Sequence, residues 1–390
     1  METRVHIRRL IVCALTWVIA ATSVYASNFD ELVSGAAAAR RDNKIPEAIE
    51  LYRQALHLKA DWAEGWWFVG TLSYSLYRHA DCESAFTRFV QLDDKREVAW
   101  ALLGLCEFET GHYQSARAHL HRGLAPGGKL AAELDAGARF HYGLLLTRAG
   151  LFDQGRRELT RFAGGASGEP VVLAGIGVNA LRMPLLPNEI PADQQDLVEK
   201  AGKATSAWML HPQALGAKIA ATTVGDAGEA EKQFRDLENQ FYDLLKSYPT
   251  APGVHYLYGI YLSSSRPDQA QTEFRRELEV NPQNAAAQAM TVLAQLTHGD
   301  APDALTNAKK AAAEEASDPL VEYAYGRALV AAGSLAEGIE RLKAAEDLDP
   351  QVLNYHTALA GAYSKAGRYN EAREERQAAL AMAEGLVAPN

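Results

Sequence analysis

Four groups of residues in this chain have types and spacing that invite chemistry. Gly123-Leu-Ala-Pro-Gly-Gly-Lys-Leu130 is one residue away from a phosphate-cradling loop, where backbone N–H groups surround phosphate oxygens and a Ser or Thr after the Lys holds Mg²⁺. Leu130 cannot hold the ion, and the run follows a helical pattern rather than a strand, so it reads as a Gly-Pro turn. Val171-Val-Leu-Ala-Gly-Ile-Gly-Val-Asn-Ala180 has the G-x-G-x-x-A spacing that opens a dinucleotide fold. Such a fold needs further strands alternating with helices, and a Pro-rich loop and more helix follow instead. The run therefore reads as a Gly-rich helix packed closely on a neighbour. His112 and His119 are seven apart with His121 beside them, which invites a metal, but His119 and His121 point apart on a helix and no carboxylate or thiolate has ligand spacing. The fourth group is a pair of cysteines, Cys82 and Cys106. The chain contains no H-E-x-x-H, no G-x-S-x-G and no nucleophile with an evident base. We expect no catalytic residue, no cofactor and no metal, and rank an enzyme third among the readings below.

Composition narrows the partner. Lys and Arg total 39 against 49 Asp and Glu, a net charge of −10. Without the segment before Ser27, Arg4, Arg8, Arg9 and Glu2 are lost and the balance becomes −12. That excess of acid argues against nucleic acid or an anionic membrane surface as the main partner. The first 26 residues read as a signal peptide: basic Arg4, His6, Arg8 and Arg9, an apolar run from Leu10 to Ala21, and Val24-Tyr25-Ala26 ending in a small residue. Cleavage after Ala26 makes the protein periplasmic or secreted. The alternative is a membrane anchor at residues 10–26, close to the shortest bilayer span. Cys13 sits at the start of the apolar run behind Val12, which disfavours a lipoprotein.

The elements that must position any site are helices. In Trp100–Leu124, Trp100, Leu103 and Gly104 share one face of a first helix. Gly111 breaks it, and Ala116, Leu120 and Gly123 form the buried stripe of a second. Trp66 and Trp100 lie 34 residues apart. This resembles the tetratricopeptide repeat, a helix-turn-helix of about 34 residues, in which each hairpin buries its apolar face on its neighbours.

The resemblance covers nearly all of the chain after residue 26. Residues 27–169 read as an N-terminal block, with an over-long turn that bulges at Tyr77–Asp81. Residues 170–251 read as an irregular middle. It holds a helix over Pro170–Arg182, an extended loop at Met183–Pro191 set by prolines 184, 187 and 191, and a second helix over Ala192–Leu210. A new repeat starts at His211 with Gly225, Ala230, Phe234 and Leu237, its second helix extended through Phe241, Leu244 and Leu245 so that it projects or covers an edge. Residues 252–390 read as a C-terminal block, with prolines 282, 319 and 350 stopping second helices. In a hairpin stack Cys82 and Cys106 fall at ends that meet. A single disulfide and two small buried apolar residues are both open readings. The phrases of the middle, NALRMPLLPNEIP and later VHYLYGIYL and EFRRELEVNP, also look like those of exported repeat proteins of soil bacteria.

The resemblance implies an all-α, right-handed α-solenoid of about eight to nine hairpins. It also implies that a second face of each first helix lines a concave groove. On the best-aligned repeats that face carries Trp67, Phe68, Thr71 and Tyr74, then Ala101, Leu102, Leu105 and Phe108, then Phe140, His141, Leu144 and Thr147. Tyr256, Leu257, Ile260, Tyr323, Ala324 and Arg327 continue it in the C-terminal block. Repeat proteins that clamp acidic peptide tails place Lys, Asn and Arg there, so this wall is of another kind. An apolar strip through three repeats suggests a binding surface, and we expect Trp67, Phe68, Tyr74, Leu105, Phe108, Phe140 and Leu144 to be partly exposed. Trp66, Trp100, Leu103 and Tyr142 should be buried between hairpins. The implied function is a non-catalytic exported scaffold that holds a peptide or helix of a partner protein. The alternative is a helper or carrier region of an envelope polysaccharide system, its aromatics stacking on sugar rings. A glycan site also needs Asn, Asp, Gln or Arg beside the aromatics, and the N-terminal wall has few.

Overall fold

A computed structural model describes residues 28–125, 130–166, 168–221, 227–315 and 318–387. The leader and its cleavage site, residues 126–129 of the phosphate-loop look-alike, and Gly225 lie outside the described residues, as do the side chains of Ala230 and Phe234. Among the described residues the chain is helical with no strand, and no helix is long and apolar enough to cross a membrane. Helices pair in chain order as antiparallel hairpins, the all-α arrangement of a solenoid. The chain divides into two compact units, Met1–Leu145 and Leu146–Asn390.

The first unit contains three hairpins and most of a further first helix. They are α1 (28–41) with α2 (Ile45–Leu58), α3 (Ala63–Ser75) with α4 (His79–Leu92), α5 (Glu97–Glu109) with α6 (Tyr113–Gly123), and then α7 (Ala132–Arg148). Each first helix is stopped in the same way. In α5, His112 N–H reaches back to Glu107 O at 2.8 Å and Gly111 N–H to Phe108 O at 3.1 Å, with Gly111 at φ +83°. That is a Schellman stop, which wants a residue without a Cβ at the left-handed position. In α3 the same two bonds form, Arg78 N–H to Ser73 O and Tyr77 N–H to Tyr74 O, with Tyr77 at φ +56°. The bulge expected at Tyr77–Asp81 is therefore absent. Tyr77 stands where the next repeat has glycine, and α4 starts two residues later as α6 does after Gly111.

Packing within a hairpin depends on small residues. A Cβ on Gly104 would lie 2.7 Å from Leu120 Cγ, so α5 and α6 touch closely there. Phe86 and Phe89 of α4 are fully buried, each contributing about 2–3 kcal/mol by area removed from water. Cys82 and Cys106 are bonded to one another, with Cα atoms 6.0 Å apart, and tie α4 to α5.

The second unit starts with α8 (Phe152–Ala166) and α9 (Pro170–Ala180), then α10 (Gln195–Ala221) and α11 (Ala227–Ser247). Four hairpins follow: α12 (Val254–Leu262) with α13 (Pro267–Val280), α14 (Ala285–Thr297) with α15 (Ala301–Glu314), α16 (Pro319–Ala331) with α17 (Leu335–Leu348), and α18 (Leu353–Lys365) with α19 (Tyr369–Val387). The dinucleotide look-alike is the helix α9. Its Gly177 lies so near α10 that a Cβ would meet Val198 O at 2.1 Å. The loop after α9 is not wholly extended, since Pro187–Glu189 and Ala192–Gln194 each make a 3₁₀ turn. No boundary falls at Leu210–His211, because α10 continues through Pro212 for 27 residues in all. The long α11 does not project. Phe241 and Leu244 are buried, and the Phe241 ring stacks on Tyr261 of α12 with centroids 4.4 Å apart.

One bond recurs in both units. A side-chain N–H at the start of a first helix donates to the carbonyl six residues earlier. Trp66 reaches Ala60 and Trp100 reaches Asp94, each at 2.9 Å. His255 reaches Pro249 at 3.0 Å, Gln288 reaches Pro282 at 2.7 Å and His356 reaches Pro350 at 3.1 Å. Trp, His and Gln share little except this N–H, which in these five helices anchors the preceding turn.

Candidate functional site

In the first unit the expected wall divides into separate clusters. Phe68 stacks on buried Tyr52 at 4.8 Å under the Arg40 guanidinium, and packs with the first hairpin. Trp67 turns the other way, onto Phe86 at 5.7 Å and Phe89 at 5.4 Å, with Arg96 5.0 Å over its ring. Phe108 meets His141 edge-on at 4.6 Å. Trp67, Phe68, Thr71, Tyr74, Phe108 and His141 keep partial exposure, while Leu102, Leu105, Phe140 and Leu144 are buried. The exposure expected for Leu105, Phe140 and Leu144 is corrected. For Leu105 the reason is local: Ala101 and Ala138, both fully buried, bring α5 and α7 into one cluster that closes over it. Trp100 and Leu103 are buried as expected, whereas Trp66 and Tyr142 are only half-buried. Thr71 gives its hydroxyl to Trp67 O in its own helix.

The histidines that invited a metal are dispersed. His112 pairs with Glu83 at 2.9 Å, His119 with Glu107 at 2.7 Å, and His121 with the Tyr142 hydroxyl at 2.9 Å. His141 donates its Nδ1–H to Gly137 O at 2.7 Å, and burial holds its pKa below the ordinary imidazole value.

The second unit contains an open cavity of about 300 Å³. Tyr256, Leu257 and Ile260, three of the residues singled out in the sequence, line it together with Tyr323. Inward faces of α12, α14, α16 and α18 supply Ile260, Leu293, Tyr323 and Tyr355, while α8, α9 and α10 supply Phe152, Asn179 and Trp208. The α8 end of this wall is bonded to the turn before α18. Gln154 donates to Leu348 O at 2.7 Å and Arg157 pairs with Asp349 at 2.5 Å.

Arg182 is the central charge of the cavity wall. It sits at φ +54°, just past α9, where Met183 N–H bonds Val178 O and Arg182 N–H bonds Asn179 O. This is the same stop that glycine makes elsewhere, so an arginine here costs about 1–3 kcal/mol of backbone strain. The conformation is held by what the side chain reaches. Its guanidinium bonds the Asp318 carboxylate, lies 3.8 Å from Asp153, and covers the rings of Phe152 at 4.6 Å and Tyr256 at 5.6 Å. Burial opposes its charge, yet the carboxylates of Asp318 and Asp153 hold the proton more firmly than usual. Burial also pushes the Tyr256 phenol well above the usual range, so it stays neutral. Asp318 in turn caps α16 by accepting from Leu320 N and Val321 N. On the same wall the Thr205 hydroxyl, 1% exposed, has no hydrogen-bond partner among the described residues. A buried hydroxyl without a partner costs about 1–3 kcal/mol, and a polar atom of a ligand would relieve it.

Sequence reasoning found Tyr256, Leu257, Ile260 and Tyr323 but missed Arg182, Asp318 and Thr205. Arg182 could have been noticed only as a charged residue directly after an apolar helix. Its partner Asp318 is 136 residues away.

Residues 260–319 match the tetratricopeptide-repeat family model. Within residues 260–319 the chain carries the tetratricopeptide repeat. No curated protein matches the sequence. Among solved structures the repeat chain is similar to a chain of the APC/C hetero-tetramer Cut9–Hcn1, at 12% identity over 90% of this chain and 66% of that one, with a TM-score of 0.40. It thus spans just under two thirds of that chain's length. It is also similar to residues 41 to the end of MamA from Desulfovibrio magneticus RS-1, at 20% identity over 45% of this chain and 97% of that one, TM-score 0.31. A further similarity is to YrrB, described as a TPR protein with an unusual peptide-binding site, at 16% identity over 48% of this chain and 97% of that one, TM-score 0.35. Tetratricopeptide repeats are in general non-catalytic scaffolds for protein–protein interaction.

Proposed function

We propose that this protein is an exported, non-catalytic scaffold that holds an extended segment of a partner protein, with an apolar anchor side chain seated in the cavity of the second unit. The observation that carries this reading is the cavity itself, about 300 Å³ and walled by Ile260, Leu293, Tyr323, Tyr355 and Trp208. A space of this size takes one or two large side chains, the way groove-binding proteins hold an anchor residue. The Thr205 hydroxyl provides a polar contact at the wall. The acidic charge balance disfavours nucleic acid, and the partly exposed Trp67, Phe68 and Phe108 offer a second apolar contact. Export is supported by the basic leader with its apolar run and by the Cys82–Cys106 bridge, a bond that persists in oxidising compartments.

The test is a selection of random peptides on purified residues 27–390, followed by binding to Leu293→Trp, which fills the cavity. Selected peptides should share an aromatic or aliphatic anchor and bind the variant at least about tenfold more weakly, as loss of a hot spot does. Peptides that bind both proteins equally would place the contact elsewhere.

One observation favours the polysaccharide reading for this same cavity. Its aromatics stand beside Asp153, Arg156, Arg157, Asn179 and Asn354, the polar company a sugar needs. Against it, Asn179 is spent on Thr147 and Phe152, Arg157 on Asp349, and Tyr256, Tyr323 and Tyr355 are at most 8% exposed. Oligosaccharides retained by the natural protein and released by Leu293→Trp would decide for glycan.

A further inference from the structure

In the last two hairpins, Glu346 of α17, His356 of α18 and Glu375 of α19 turn one ligand atom each toward a common point, all within 4.8 Å of one another. His356 Nδ1 lies 3.0 Å from Glu346 Oε1 and 2.8 Å from Glu375 Oε2. Its other nitrogen is fixed, since Nε2 must carry the proton that it donates to Pro350 O. A carbonyl oriented on the far nitrogen is the outer partner that metal-binding histidines usually have. The side chains are 20%, 6% and 17% exposed for Glu346, His356 and Glu375, buried enough to be rigid and open enough for entry.

The other paired histidine of this unit provides the contrast. His255 makes the same bond to the carbonyl six residues back and pairs with Glu273 at 2.6 Å. There the second oxygen of Glu273 is already neutralised by Arg276 at 2.6 Å, and among the described residues no second carboxylate is within ion-pair distance of the ring. Around His356 there are two carboxylates, and among the described residues neither pairs with a Lys or Arg. A single Nδ1–H cannot satisfy both carboxylates at once.

We propose that Glu346, His356 and Glu375 bind a divalent transition-metal ion of the Zn²⁺ class, clamping α17, α18 and α19 together. Neutral imidazole and carboxylate oxygens suit this class, with bonds of about 2.0–2.2 Å and ligand atoms roughly 3.3 Å apart in a tetrahedron. The Nδ1 distances of 3.0 and 2.8 Å need only a small opening to meet that. Three protein ligands leave a fourth position for water. The ion replaces the proton on Nδ1, which is released on binding.

The test uses untagged residues 27–390, stripped with chelator and titrated with Zn²⁺ by calorimetry, and with Co²⁺ for its visible absorption. His356→Gln is the decisive variant, because Gln288 makes the same donor bond to the carbonyl six residues earlier and shows that Gln keeps the structural contact. Glu375→Gln removes a second ligand, and His255→Gln is the control. The expected result is one Zn²⁺ per chain, a tetrahedral Co²⁺ spectrum, and affinity at least about 30-fold weaker in His356→Gln and Glu375→Gln but unchanged in His255→Gln. No stoichiometric Zn²⁺ in the natural protein, or equal affinity in a folded His356→Gln, would overturn the proposal.

Discussion

The two units treat inward residues of their first helices differently. In the first, aromatic and aliphatic chains lean on one another: Phe68 on Tyr52, Trp67 on Phe86 and Phe89, Leu105 under α7. In the second, Ile260, Leu293, Tyr323 and Tyr355 stand around a space, and the wall is held by charged pairs, Arg182 with Asp318 and Arg157 with Asp349. A wall that packs against itself is stable without help but offers little room. A wall held open by ion pairs retains a cavity, at the cost of burying charges that must stay matched.

The largest effect should come from unmatching them. Asp318→Ala removes the nearer of the two carboxylates paired with Arg182, whose side chain is only 10% exposed, and also the cap of α16. Losing one partner of a buried pair costs about 3–5 kcal/mol, so urea unfolding should shift by that amount. Asp318→Asn, which can still cap, should recover part of it. If Asp318→Ala leaves the midpoint unchanged, charge does not hold the second unit's wall.

Next in size is the first unit's bridge. Reduction of Cys82–Cys106, 24 residues apart in sequence, should cost roughly 2–4 kcal/mol. The loss should appear in thermal unfolding with and without reductant, and Cys82→Ala with Cys106→Ala should make reductant irrelevant. An equal melting temperature with and without reductant would mean that packing alone holds α4 to α5.

A smaller effect separates Trp67 from a free surface residue. Because its ring lies on Phe86 and Phe89, Trp67→Ala should lose about 1–2 kcal/mol of stability in addition to any binding. That is less than the 3–5 kcal/mol or so expected for buried Trp100→Ala. Equal losses would make the whole first-unit wall core. No loss for Trp67→Ala would restore it as a surface kept for a ligand.

Much of this fold was legible because the repeat writes its rules locally. The spacing of Trp66 and Trp100, glycine opposite leucine at Gly104 and Leu120, and Gly111 at the turn are all short-range facts. The Tyr77 turn was misread because left-handed backbone is normally written as glycine, and here hydrogen bonding enforced it on a tyrosine. Helix α10 was misread at Pro212 because a proline is usually a boundary. The site was less legible. Trp67 and Phe68 are neighbours in sequence yet pack in different hairpins, a split that pattern alone does not show. Arg182 and Asp318, or Glu346, His356 and Glu375, come together only through tertiary packing.

The smallest predicted effect differs in sign between the units. His141 of the first unit has a pKa lowered chiefly by burial. As pH falls through about 6.5 the unfolded chain takes up a proton that the folded one resists, so His141 removes stability on acidification. His255 of the second unit has a pKa raised chiefly by its bond to Glu273, with Glu277 adding to it against burial. Arg276 also bonds Glu273. The folded state holds the proton where the unfolded chain has released it. The stabilisation is therefore complete below about 6.5 and is lost as pH rises through the higher folded value. Measured in chelator, so that no metal binds at His356, the stability difference between natural protein and His255→Gln should shrink as pH rises from 6 to 8. The difference between natural protein and His141→Gln should change in the opposite sense over the same range. If both differences moved the same way, the contrast between His141, set against rings with Glu109 3.9 Å away, and His255, bonded directly to Glu273, would fail.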